Sequence, residues 1–489
     1  MLFNSFIFLF FLAAVVPIYY LLPHRYRNAF LLVCSYFFYA YWDWRFLSLI
    51  WISTAVDFTI GKKMYGTRGT SKRKRLLAVS IIANLGLLGF FKYFNFFTES
   101  FNQFIGALGF RPLDSLHLNI ILPIGISFYT FQTLSYTIDI YREKLKPEDS
   151  PINFALFVAF FPQLVAGPIE RAVNLLPQIQ SKIKFSKEKF REGVVLISVG
   201  MFKKIVLGDT CGHIVDHIFA QPQYYSSLEM LMALLLFSVQ IYNDFSGYSH
   251  IARGTAKLLG FELMINFQQP YLATSIGDFW KRWHISLSSW FMDYLYLPVA
   301  YSLSRRIKTR TLLGFKAETW AYVVGTLITM MLCGLWHGAG WTFFIWGLMH
   351  GLYMTLSFAT RKLRAKVRKS LKIKKNAPVP DVFRILAVFV MVNFAWIFFR
   401  ADSFGTAFYF IKSFLNWSPG GDTTAILGII ATYFLATVVI DLFERYTGSH
   451  TFLLRLTPPY RYGIIMAGWF LTLLYLYGSE PMPFVYFQF

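Results

Sequence analysis

Apolar segments of roughly 15 to 25 residues recur from one end of the chain to the other, divided by short polar or basic connections. A bilayer core of about 30 Å is crossed by about 20 helical residues, so each segment predicts a transmembrane helix. About twelve crossings are predicted, over residues 4–22, 28–42, 46–60, 76–95, 119–140, 193–219, 228–247, 319–336, 341–359, 383–400, 423–442 and 462–478. The segments lack the two-residue alternation of an outer-membrane barrel strand. The predicted fold is an all-α integral membrane protein, with residues 1–489 forming one multi-span domain.

Two stretches break the pattern. Residues 152–170 pair a short apolar run with Pro162, Gly167 and Pro168, and predict a re-entrant segment. Irregular backbone at membrane depth is tolerated only where protein or a water-filled cavity covers it. Residues 275–300 begin with Ser275 and Asp278 in capping-box spacing and mix tryptophans with basic residues, which predicts a helix at the cytoplasmic interface.

Composition agrees with the pattern. The 489 residues are 56% hydrophobic and only 15% charged, against about 25% charged in soluble domains. The net charge of +22 gathers in four places: Lys62 to Arg75, Lys182 to Arg191, Arg305, Arg306, Lys308 and Arg310, and Arg361 to Lys375. Each lies between apolar segments, so cytoplasmic retention of positive loops accounts for them without a nucleic-acid partner. This orientation puts both termini outside. Met1 to Ser5 carry no basic residue and no small-residue cleavage site follows, so the first apolar run is expected to be retained. The three cysteines, Cys34, Cys211 and Cys333, form no CxxC pair and give neither a disulfide framework nor a zinc signature. The longest outer connections, 98–118 and 403–422, are marked by Pro112, Pro419, Gly420 and Gly421. Neither could hold a folded domain of about 50 residues.

His337 is the first candidate for chemistry. It interrupts the apolar stretch from Trp320 to Phe358 within Cys333-Gly334-Leu335-Trp336-His337-Gly338. An ionisable group at membrane depth is costly and predicts a proton handler facing an internal cavity, the alternative being a neutral imidazole bonded between helices. Gly334 and Gly338, and Gly347 and Gly351, have a spacing that allows close helix approach or leaves room for an acyl chain. His350 is a second polar group for the same cavity, or a core hydrogen-bonding residue. His284 is expected to approach from the cytoplasmic side, where nearby Lys281 and Arg282 would favour a neutral, basic ring. The two histidines thus predict proton handlers towards opposite faces.

Other candidates are weaker. Cys333, four residues before His337, shares its helical face and is a conceivable thiol acyl carrier. No GxSxG elbow exists. His213, Asp216 and His217 have helical ligand spacing but lack a third strong ligand, and no metal is predicted. Asp244, Ser246 and Tyr248 end an apolar span and either line the mouth of a cavity or cap the helix; Arg400 and Asp441 are expected at the interface.

Taken in order, several motifs resemble the membrane-bound O-acyltransferase (MBOAT) family, in its bacterial alginate O-acetylation branch. They are Leu122 to Gln132, Phe161-Pro162-Gln163 to Gly167-Pro168, Asp244 to Ser249, Phe279-Trp280 to Trp283-His284-Ile285-Ser286-Leu287-Ser288, Gly334 to Gly338, and Phe484 to Phe489. The resemblance implies that His337 matches the family's essential histidine and His284 its second functional one, with Trp336, Asp244, Ser246, Tyr248, His350 and Cys333 as tunnel candidates. It implies a ring of about 11–12 helices, with re-entrant and interfacial helices, around a central tunnel. Its relatives take an acyl group from a cytoplasmic thioester, here expected to be acetyl-CoA as substrate, with no tightly bound cofactor. An extracytoplasmic SGNH-type partner would then modify a polysaccharide. Cys333, where Gly is expected, and His250, where an acid is expected, depart from the pattern. The expected function is membrane-bound O-acetylation of an exopolysaccharide or cell-wall polysaccharide at the bacterial inner membrane. The alternatives are acylation of a lipid or protein, a transporter without chemistry, and a structural subunit. Transport is disfavoured by the missing inverted repeat.

Overall fold

The computed structural model describes residues 1–111, 118–165, 167–307, 311–312, 315–372, 378–478 and 482–487. Pro112, Lys308, Arg310, Lys375 and Phe489, all named above, lie outside them, as do Ala166 and Gln488 of the quoted motifs. The described chain is helical throughout apart from loops and one antiparallel pair, Thr311–Leu312 with Phe315–Lys316. Five of its helices have the length and apolarity to cross a bilayer: Thr70–Ala107, Ser227–Leu258, Ala317–His337, Val379–Arg400 and Thr423–Thr447. Leu47–Gly66 has the length but carries Asp57, Lys62 and Lys63. The protein is an all-α, multi-pass membrane protein.

Most predicted crossings match helices to within a few residues, and 341–359 matches Trp341–Ala359. Two differ in an informative way. The segment expected at 119–140 becomes helical only at Ile126, after Gly125 adopts φ +79°, where an added Cβ would press on the Leu164 carbonyl at 2.7 Å. The span expected to end at 247 runs on as one helix, Ser227–Leu258, of 32 residues. Its apolar window is 78% buried, against 17% for Thr423–Thr447, so protein rather than lipid surrounds it and its polar residues are interior.

The chain forms two compact units, Met1–Ile197 with Ile251–Met264, and Ser198–His250 with Ile265–Phe489. The first contains the broken segment. Pro151–Ala159 and Phe161–Leu164 are two buried helices, the longer rising only about 14 Å, too short to cross. The Phe161 amide donates to Ser35 Oγ at 3.1 Å rather than to Phe157, and the Phe157 carbonyl instead accepts from the side chains of Gln132 (2.6 Å) and Gln163 (2.9 Å). Side-chain amides thus satisfy backbone that a proline-broken helix would leave bare. Elsewhere in this unit, Asp57 accepts from Ser80 at 2.6 Å and Asn84 at 2.8 Å, so a carboxyl group in an otherwise apolar interior is hydrogen-bonded.

In the second unit, Ala317–His337 and Trp341–Ala359 form a tight antiparallel pair. A Cβ on Gly334 would collide with the Phe343 carbonyl, and one on Gly347 with the Met330 carbonyl. The four-residue glycine spacing therefore serves backbone-to-backbone packing, not an acyl channel.

Candidate active site

His337 is the last residue of its helix and is 1% exposed. Aromatic rings enclose it: Trp346 at 5.0 Å between centroids, Trp336 at 5.1 Å, Tyr486 at 5.2 Å and Phe399 at 5.4 Å. Cys333 lies one turn back on the same face, as the spacing predicts, with Sγ 3.9 Å from His337 Nε2.

His284 is the principal correction. It is fully buried, and its ring lies 6.3 Å from that of His337, with Trp336 against both. The two histidines share one site rather than serving opposite faces. The expected interfacial helix breaks here: Ile276–Trp280 ends, His284 takes φ +43°, and Ile285–Phe291 begins. A left-handed conformation is uncommon for a non-glycine residue and persists only when its surroundings hold it. Asn266 supplies that hold, its carbonyl accepting from the Ile285 amide at 2.9 Å and its Oδ1 from the Ser286 amide and hydroxyl at 3.2 and 2.9 Å. The predicted cap upstream is present, with Ser275 Oγ accepting from the Asp278 amide at 3.1 Å. Arg282 is taken up by Asp278 at 2.9 Å.

Asp244, Ser246 and Tyr248 do not end a span; they lie inside the Ser227–Leu258 helix and are buried. Phe245, between the first two, packs on His284 at 4.5 Å and on Tyr486 at 4.6 Å. Asp244 meets Lys204 at 2.6 Å and accepts from the Val485 amide at 2.7 Å. Ser246 Oγ is buried without a hydrogen-bond partner among the described residues, and the Tyr248 ring packs on Phe484 at 4.7 Å. His350 Nδ1 accepts from Trp280 Nε1 at 3.3 Å, and the Trp346 ring packs against both His350 and His337, at 4.9 and 5.0 Å.

One further expectation is overturned: Asp441 is buried, accepting from the Tyr242 hydroxyl at 2.7 Å. Arg400 does end its helix and is partly exposed, and it pairs with Asp216 at 2.6 Å. No group of three or more His, Cys, Asp or Glu side chains that could hold a metal ion is found among the described residues. His250, noted as a departure, faces His450, with 3.2 Å between Nε2 and Nδ1.

Sequence reasoning did not select Tyr486 or Lys204. Tyr486 is buried beside His337 with a hydroxyl that finds no hydrogen-bond partner among the described residues. Only membership in the terminal aromatic motif marked it, and nothing in its local pattern says where it docks. Lys203 and Lys204 did carry a signal: two ammonium groups inside a predicted crossing demand partners.

The site therefore gathers two imidazoles, a tyrosine hydroxyl and a thiol in a buried aromatic cluster within a multi-pass helical membrane protein, the equipment of a membrane-embedded group-transfer enzyme. Residues 36–399, which include both histidines, match the MBOAT, membrane-bound O-acyltransferase family. The chain belongs to this family and is an O-acyltransferase. It is 38% identical to the probable alginate O-acetylase AlgI of Azotobacter vinelandii over 451 residues, covering 91% of this chain and 85% of the relative. The protein of that name from Pseudomonas aeruginosa is 37% identical, with 91% and 81% covered. The peptidoglycan O-acetyltransferase of Helicobacter pylori is 34% identical over 416 residues, with 79% and 73% covered.

Proposed function

We propose that this enzyme takes an acetyl group from a cytoplasmic thioester, acetyl-CoA, and passes it to an acceptor beyond a bacterial inner membrane for O-acetylation of a secreted or cell-wall polysaccharide, alginate-type first. The observation that carries the reading is the approach of His284 and His337 to 6.3 Å in one buried aromatic cluster. The names of the relatives, an alginate O-acetylase and a peptidoglycan O-acetyltransferase, supply the acyl group and the class of acceptor.

His337 acts as general base, removing the proton of the attacking hydroxyl as its oxygen bonds to the acetyl carbonyl carbon. The carbon–sulfur bond then breaks, and the thiolate receives the proton from the imidazolium. His284 assists beside the thioester. Exclusion of water by the surrounding rings protects the thioester from hydrolysis. The short outer connections read from the sequence favour a separate extracytoplasmic protein, of SGNH type, as the next carrier.

The test is to supply cells with labelled acetyl donor and follow the label. Label in polysaccharide that disappears in His337→Ala, with the variant inserted at normal level, supports the reading. Label confined to lipid or protein, or undiminished polysaccharide acetylation in His337→Ala, overturns it.

A further inference from the structure

Residues 484–486 reach the histidine cluster from far along the chain, and one charged group holds them there. Asp244 Oδ2 accepts the Val485 amide at 2.7 Å. The other oxygen of that carboxylate lies 2.6 Å from Lys204 Nζ, and Lys204 is braced on its far side by Asp209 at 2.5 Å. Lys204 is completely buried and Asp244 nearly so. Around this anchor, Phe484 packs on Phe245 at 5.1 Å, and Tyr486 packs on Phe245, His337 and His284 at 4.6, 5.2 and 6.2 Å.

The backbone is shaped to bring the charges together. Lys204 and Asp209 lie in a π-helical stretch, Phe202–Asp209, a conformation that is rare and frequent at functional sites. A Cβ at Gly247 would sit 2.8 Å from the Lys204 amide nitrogen, and one at Gly208 3.0 Å from that of Asp244. Both glycines let the two segments approach closely. Buried ion pairs return little net stability for their desolvation cost, and a role in fixing one arrangement is the better account of such a pair.

We propose that Lys204 and Asp244 are positioning residues: their ion pair clamps the Val485 amide and thereby sets the C-terminal segment as one wall of the acyl-transfer pocket. This rests on the function proposed above. The clamp orients the carboxylate, the carboxylate fixes one backbone N–H, and that N–H places Tyr486 and Phe484 on the rings around His337.

Val485→Pro deletes this N–H without altering a charge, at the first residue of a short 3-10 turn, Val485–Phe487, where proline is tolerated. Val485→Ala keeps the N–H and serves as the conservative counterpart. Hydrogen–deuterium exchange on the full-length protein in detergent reads the segment directly, and the O-acetyl content of polysaccharide in cells reads the reaction. In Val485→Pro, amides of the 482–487 peptide are expected to exchange at least tenfold faster while the rest of the chain keeps its protection, and acetylation falls at least tenfold. Val485→Ala keeps both within about threefold of the parent. Unchanged exchange in Val485→Pro, faster exchange with normal acetylation, or equal losses in Val485→Ala each overturn the clamp. If Val485→Pro does not insert, Asp244→Asn decides on the exchange measurement: faster exchange confined to the 482–487 peptide supports the clamp, and unchanged exchange overturns it. The exchange readout needs neither donor nor acceptor, so failure of the clamp and failure of the acyltransfer reading are separable; His337→Ala loses acetylation with the peptide still protected.

Discussion

His284 and His337 lie 53 positions apart in the chain, yet their rings stand 6.3 Å apart, tilted by 51°, with Trp336 against both. Two imidazoles at this separation can address one reacting centre from two sides, which neither could do from opposite membrane faces. General acid–base assistance is worth about 10² to 10⁴ in rate, and groups acting in one step are not additive. His284→Ala and His337→Ala are each expected to lower acetyl transfer at least a hundredfold, and the double variant to be scarcely worse than the weaker single. Multiplying losses, read from polysaccharide O-acetyl content, would show that the two act in separate steps.

His284 also has a backbone role that can be separated from its chemistry. Its φ of +43° is costly for a β-branched residue and readily accepted by asparagine. His284→Asn is therefore expected to unfold near the parent's temperature, whereas His284→Val loses about 1 to 3 kcal/mol. Both lose acetyl transfer. Thermal unfolding in detergent separates them, and equal stability would remove the argument from strain.

The helix pair carrying His337 depends on absent side chains. The collision of a Cβ at Gly347 with the Met330 carbonyl cannot be relieved by a rotamer change, because the obstacle is backbone. Gly347→Ala is expected to cost about 1 to 3 kcal/mol and to lower acetylation by shifting His337 against Trp346. Gly463→Ala, with open space around its Cβ, is the control and is expected to be neutral. Unfolding temperatures of the two variants check the contrast.

How much of this was legible depends on the range of the interaction concerned. Periodicity and length are local, so Trp341–Ala359 and the Ser275 cap could be read directly. The glycine spacing was legible as a close approach, but whether it served packing or a channel depends on the facing backbone. His284 was misplaced because tryptophans and basic residues mark an interface by composition, while the left-handed turn at His284 that carries the ring inward is held by a tertiary contact, to Asn266. Tyr486 was missed for the same reason, since its location is set by Asp244, 242 residues earlier. The lysine pair at 203 and 204, like Asp57 within the predicted crossing 46–60, was a local signal left unused.

Lys203 leads to the last prediction. It points away from the clamp: its Nζ lies 4.7 Å from the centre of the Tyr242 ring and 4.0 Å from Glu444. Glu444, itself 2% exposed, also accepts from Gln269 Nε2 at 3.0 Å and lies 3.7 Å from His450 Nε2. A carboxylate so placed helps to neutralise the buried ammonium, whose other acidic neighbour is Asp441. Removing one member of a buried pair strands its partner and costs about 3 to 5 kcal/mol, whereas removing both costs much less. Glu444→Gln is thus expected to destabilise the protein by this amount, and addition of Lys203→Met to restore at least half of the loss. A double-mutant cycle on unfolding free energies measures the coupling. Additive losses would mean that Lys203 is balanced chiefly by Asp441, whose carboxylate already accepts from the Tyr242 hydroxyl under that ammonium.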